Sequence, residues 1–201
     1  PAEIRYTRDK STPTRASYLY IEPFAITDSA YITAQIFQNG EAVGKPVTRR
    51  FDYHRAIGKA ITYNIPINQY YPAGGQTALV DGRNGGLSHG DGRWQGFTTG
   101  VDVTIDMGEI TTLSSISAQF MQSIGPHIWF PEYVKISVSN DNDNFTTIKH
   151  DKNTISRQKP GTIFETFGWQ GAIEARYIRY EAPAISIKGG AWVFIDEIVV
   201  W

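Results

Sequence analysis

Cysteine is absent from all 201 residues, so neither a disulfide framework nor a thiolate metal site is available. No apolar run approaches the ~18 residues a membrane-spanning helix needs, and no charged-then-apolar leader opens the chain. An excess of one charge is missing too: 19 basic and 20 acidic residues leave a net charge of -1. That balance supplies neither the basic footprint of a nucleic-acid binder nor a polybasic signal for anionic membranes. Helical periodicity is also lacking, since no segment keeps apolar residues at i, i+3, i+4 and i+7 over three turns. The four histidines, His54, His89, His127 and His150, show no metal-ligand spacing. No nucleophile elbow or phosphate-binding loop occurs. The opening Pro1-Ala2-Glu3-Ile4-Arg5 reads as the middle of a strand. A longer parent is therefore expected, with any signal peptide outside this fragment.

What the chain has is aromatic and turn-forming residues: 5 Trp, 11 Tyr and 10 Phe, with 19 Gly and 10 Pro. β-Branched and aromatic residues broken by turn formers predict short strands and an all-β fold. In the first fifty residues, strands are expected at Glu3 to Arg8, Phe24 to Ile26, Tyr31 to Phe37 and Val43 to Phe51. Asn39-Gly40 marks a hairpin between the last two. The polar stretch Asp52 to Arg55 is too short for a free linker, so two domains, 1–54 and 55–201, are expected to pack together. Beyond it, strands recur from Val101 to Asp106 through Val193 to Val200. Tyr133 to Ser139 alternates, with Val134, Ile136 and Val138 on one face. About eight strands at this spacing predict a sandwich or jelly roll. Asn64 to Gly100 is a long irregular stretch, of the kind that is usually functional or ion-ordered.

Sugar recognition needs a flat aromatic face for the C–H side of a pyranose, with fixed donors and acceptors for its hydroxyls. His89, Asp91, Arg93 and Trp94 offer these within six residues, although Trp94 fits equally as core beneath the loop. Trp129 and Phe130, between Pro126 and Pro131, cannot both face inward easily, so one is expected as a platform or an interdomain contact. Trp169, in a Gly168-Trp169-Gln170-Gly171 turn, is a further candidate. At Tyr70-Tyr71 at least one ring should pack on the loop, and Trp192 and Trp201 are expected in core or edge positions.

Taken in order, YPAGGQTALVDGRNGG, VDVTIDMG, PEYVKISVSND, ARYIRYEA and AWVFIDEIVVW resemble the discoidin, or factor V/VIII type C, domain over roughly residues 57 to 201. The resemblance implies an eight-stranded jelly roll of the galactose-binding-domain-like type, shared with bacterial carbohydrate-binding modules. It also implies a structural Ca²⁺ held by Asp81, Glu197 and carbonyls of residues 78 to 88, although Arg83 and Asn84 stand where the family pattern has a second Asp or a Thr. The residues alone allow a simpler alternative, an Asx-turn capped by Asp81 with Glu197 paired locally. EIRYTRDKSTPT, SYLYIEPFAI and SAYITAQIFQNG resemble the small β-sandwich that follows the catalytic barrel of chitobiases and β-hexosaminidases, with Asp9-Lys10 in place of the usual Asp-Gly. The tandem thus implies a non-catalytic, carbohydrate-binding tail of a bacterial glycoside hydrolase that is secreted, periplasmic or cell-surface. Its partners would be a hexose or N-acetylhexosamine glycan and the parent's catalytic domain, with no nucleic acid and no membrane. The alternatives are a ligand-free spacer and a membrane or cell-surface adhesion domain. Asp196-Glu197 matches the hexosaminidase catalytic pair in sequence only. Neighbours on a regular strand point apart, so the two would converge only at a bulge.

Overall fold

Asn39 and Gly40 both adopt positive φ, 50° and 78°, the conformation a two-residue hairpin turn requires. They join β3 (Ala30–Gln38) to β4 (Glu41–Phe51). With β1 (Ala2–Thr7) and β2 (Tyr18–Leu19) these make an antiparallel sheet in the order β2-β1-β3-β4. The computed structural model describes residues 1–201, and this sheet belongs to the first of two units, Pro1–Tyr53 and His54–Trp201. One face of β3 carries Thr33, Gln35 and Phe37, all buried. The segment 11–17 crosses that face, where Ser17 accepts a bond from Arg5 and Ser11 one from Thr7. The face with Ile32, Ala34 and Ile36 is the more open one. Phe24 stacks there on Tyr6 at 4.8 Å, but residues 24–26, expected as a strand, are irregular.

In the second unit two strands do most of the work. β7 (Gly100–Ser123) and β10 (Thr162–Pro183) are 24 and 22 residues long and pair along most of their length. The Gly168-Trp169-Gln170-Gly171 stretch, expected as a turn, does not end β10. Instead the ladder shifts register at Gln170/Ile173 and Ala175/Tyr177, and Gly108 takes a φ of 89°. Such bulges bend a strand without ending it. Each long strand therefore serves two sheets. Residues 116–123 of β7 pair with β11 (Val193–Val200) and with the start of β10, and β11 carries β6 (Gln95–Phe97) at its other edge. Residues 100–106 pair with β5 (Ala60–Tyr63) and the end of β10, followed by β8 (Tyr133–Ser139) and β9 (Thr146–Lys152).

The core lies between these sheets. Val103, Ile105, Ile136 and Ile178 from one meet Ile116, Ala118, Phe120 and Ile195 from the other, which accounts for the alternation in Tyr133 to Ser139. Burying such apolar surface is the main stabilising term, at about 25 cal/mol per Å². Tyr180, fully buried, satisfies its hydroxyl on the Phe167 carbonyl at 2.9 Å. The architecture is an all-β sandwich.

Candidate functional site

Four buried polar or indole groups hold the loops at one end of the sandwich. Gln95 donates to the carbonyls of Pro72 and Gly75 at 3.2 and 3.0 Å. Gln122 donates to Ser156, Trp129 Nε1 to Arg157, and Trp94 Nε1 to Gly86. Buried indoles need such partners, and here the partners are loop carbonyls. The loops 64–74, 84–94, 124–131 and 153–161 are thereby gathered over one end, and 184–192 joins them where the Trp192 amide donates to His127 and the Trp129 amide donates to Trp192.

On that end the rings form a continuous group. Tyr71 meets Trp192 at 5.1 Å, Phe194 at 4.8 Å and His89 at 5.9 Å, all edge to face. Tyr71, His89 and Trp192 are half-buried, while Phe194 is beneath them. Beside Trp192 lies an open depression of about 360 Å³, lined by Thr98, Pro126, His127, Gly189, Gly190, Ala191 and Trp192. His127 is exposed and held at a φ of 61°, uncommon for a residue with a side chain. Its backbone is pinned on both sides, since its amide donates to Ile124 and its carbonyl accepts from Trp192. Gly189 and Gly190, at φ of 93° and 82°, make the opposite wall. An aromatic edge, an imidazole, a hydroxyl and bare glycine backbone thus share one shallow surface.

The candidate metal position has a different character. A register shift lies between Ile195 and Ile198, and it lets Asp196 and Glu197 both face the 81–85 loop. Glu197 Oε1 accepts His54 Nε2 at 2.9 Å and the Gly82 amide at 3.0 Å, and Oε2 accepts the Asp81 amide at 3.3 Å. Asp196 accepts the amides of Gly85 and Glu197. Asp81 takes the amide of Arg83 on one oxygen and its guanidinium on the other, at 2.9 and 2.6 Å. Calcium requires six to eight oxygen ligands. Glu197 instead faces N–H donors, and the Arg83 cation sits on Asp81, so these residues do not fit a calcium ion. The Asx-turn alternative describes Asp81, and Glu197 closes the loop as an acceptor of amides. Burial raises the affinity of both carboxyls for protons: Asp196 is pushed up to about 7, and Glu197 is raised despite its bonds to His54 and Gly82. Both are buried, which leaves the pair no face for a substrate.

Residues 58–198 match the family described as F5/8 type C domain, and residues 1–51 match the one described as Fn3 associated. The chain belongs to the F5/8 type C domain family. No curated protein matches it. Among solved structures, it is similar to a Ruminococcus gnavus GH29 fucosidase in complex with fucose, at 13% identity and a TM-score of 0.50. That match covers 74% of this chain and 26% of the enzyme. Chitosan-binding module 2 of a Paenibacillus chitosanase/glucanase, in complex with chitotriose, gives 17% identity and a TM-score of 0.48, covering 73% of this chain and 98% of the module. A Clostridium perfringens module in complex with GalNAc-β-1,3-galactose gives 14% and 0.47, covering 70% and 93%.

Within the F5/8 type C unit, several of the anticipated sugar residues are placed elsewhere. Trp94 is 1% exposed and stacks on Phe164 at 5.7 Å, so it is core. Trp129 and Phe130 are 9% and 1% exposed, so both do face inward. Trp129 packs on Ile185 and Ala191, and Phe130 joins the main core. Trp169 lies within β10 opposite Ile116, half-buried against the core. It is five residues from Phe164 along the strand, about 16 Å at strand rise, and outside the ring group. Asp91 reaches the loop end, but its oxygens accept the amides of Gly86 and Arg93 at 2.6 and 3.0 Å. His89 and Arg93 remain half-buried at the surface. The residues missed were Tyr71, His127 and Trp192. A histidine before a buried aromatic run and a Gly-Gly pair before Trp192 were the available signs.

Proposed function

We propose that the chain is the non-catalytic, carbohydrate-binding tail of a larger secreted bacterial glycoside hydrolase of the chitobiase/β-hexosaminidase kind. It would hold the parent's catalytic domain near hexose or N-acetylhexosamine glycans. The observation that carries this reading is the depression beside Trp192, where a half-exposed indole and the exposed His127 share a wall with Gly189 and Gly190. A pyranose can lay its C–H face on the indole, while His127, Thr98 and the glycine backbone meet its hydroxyls. Such a shallow site binds weakly, because polar desolvation and side-chain ordering offset much of the contact energy. Dissociation constants of roughly 0.1–1 mM are expected, and tethering turns that weak contact into a high local substrate concentration for the attached enzyme.

A membrane-binding domain would need aromatic tips free to insert, and Trp129 and Phe130 are both buried. Calorimetric titration with galactose, N-acetylgalactosamine, N-acetylglucosamine and chitotriose tests the proposal. At least one should bind, and Trp192→Ala should weaken it about 30-fold, the scale of an interface anchor. No binding by any of the four would favour the spacer.

A further inference from the structure

The chain is almost neutral, yet its charges are not evenly spread. The loops at the ring-bearing end, 64–74, 84–94, 124–131, 153–161 and 184–192, contain Arg93, Arg157, Lys159 and Lys188 against a single carboxylate, Asp91. That carboxylate is already committed to the amides of Gly86 and Arg93. Just below the loops, Glu132 and Lys152 offset each other. Arg157, Lys159 and Lys188 are exposed and Arg93 is half-buried. None of the four makes an ion pair, whereas Arg83, Lys135, Lys149, Arg176 and Arg179 in the same unit all do.

Two of these cations, Arg157 and Lys188, are tied through their backbone to residues that make or support the candidate site. Arg157 offers its carbonyl to Trp129, and His127 lies edge to face on Trp129 at 5.5 Å. Lys188 directly precedes the two glycines of the depression wall. A cluster of unpaired cations raises the local concentration of an anionic ligand and its rate of capture, and guanidinium groups grip carboxylate or sulfate oxygens in a fork. We propose that the glycan taken here is acidic, carrying a uronic-acid carboxylate or a sulfate beside the ring that stacks on Trp192. The proposal rests on the carbohydrate-binding reading above. The same charge disfavours cationic glucosamine polymers.

The test uses the whole 201-residue chain and four probes: digalacturonate, its carboxyl-reduced neutral counterpart, a sulfated galactose disaccharide and a glucosamine oligomer. At least one of the two acidic sugars should bind about tenfold more tightly than the neutral one, with the glucosamine oligomer weakest. That preference should shrink as salt rises from about 0.05 to about 0.5 M, since screening shortens the reach of exposed charges. Lys188→Ala and Arg157→Ala should each cost about threefold for the acidic sugar and nothing for the neutral one, and Lys59→Ala should change neither. Equal affinity for neutral and acidic sugars would overturn the proposal while leaving carbohydrate binding intact. No binding of any sugar would remove both readings. Capture of phosphatidylserine vesicles without any sugar binding would overturn the proposal in favour of a lipid surface.

Discussion

The two ends of the second unit are built from different materials. At the loop end, whose loops carry half-buried rings and unpaired cations, a depression of about 360 Å³ has an indole in its wall. At the opposite end, a depression of about 330 Å³ is lined by Ser139, Asn140, Asp141, Asn144, Glu174 and aliphatic neighbours, with no ring among them. There the turn satisfies itself. Asp141 accepts the amides of Asp143 and Asn144 and the side chain of Asn144, which hold its carboxyl well below the usual range. Nearby, Arg176 closes on Asp106 through two bonds of 2.8 and 2.9 Å. Polarity alone does not make a binding surface. The turn end has spent its polar groups on its own backbone, and the loop end has left its rings and cations available.

That contrast can be broken or sharpened by experiment. The largest effect is expected beneath the loop end. Trp94→Ala removes a fully buried indole stacked on Phe164 and bonded to Gly86. It should lower unfolding free energy by about 3–5 kcal/mol and abolish sugar binding along with it, as read by denaturant melts. Next comes a pH effect on the carboxylate latch that closes the same set of loops. Asp196 goes from 3.8 to about 7 on folding, chiefly through burial. Between those values the folded chain holds a proton that the unfolded chain has released, so this group's stabilising contribution is complete below the lower value. It is lost as pH rises through the upper one. Tm should therefore fall by roughly 5 °C from pH ~4.5 to ~7.5, and Asp196→Asn should flatten that slope. A slope as steep in the variant as in the parent chain would refute the assignment. The smallest effect is an expected null. Excess chelator should leave the melting curve unchanged, because Arg83 and backbone amides occupy Asp81 and Glu197. A lowered Tm in chelator would restore the calcium reading.

The fold was legible because strand patterning is a local property. Val134, Ile136 and Val138 alternate in sequence and are all buried, and Asn39-Gly40 makes its hairpin turn. The lengths of β7 and β10 were not legible. A glycine at a bulge and a glycine at a reversal look the same in sequence, and only pairing with distant strands distinguishes them. The site was harder still. Trp94 could be read as platform or as core, and either Trp129 or Phe130 as a platform, because a tryptophan in a loop sequence is ambiguous until its N–H partner is known, and both indole partners are carbonyls of loops distant or folded back in space. His89 and Arg93, singled out by their local company of glycine and aspartate, lie half-buried at the loop end. Tyr71, His127 and Trp192 come together only through contacts among loops far apart in the chain.

The most direct measurement is a sugar titration of the labelled chain followed by amide chemical shifts. The account predicts saturable changes at residues 71, 89, 127 and 188–192, with the turn at residues 140–146 unmoved, and the same pattern in Asp143→Ala. Changes centred on residues 140–146, or none at the loop end with any neutral or acidic sugar, would contradict it.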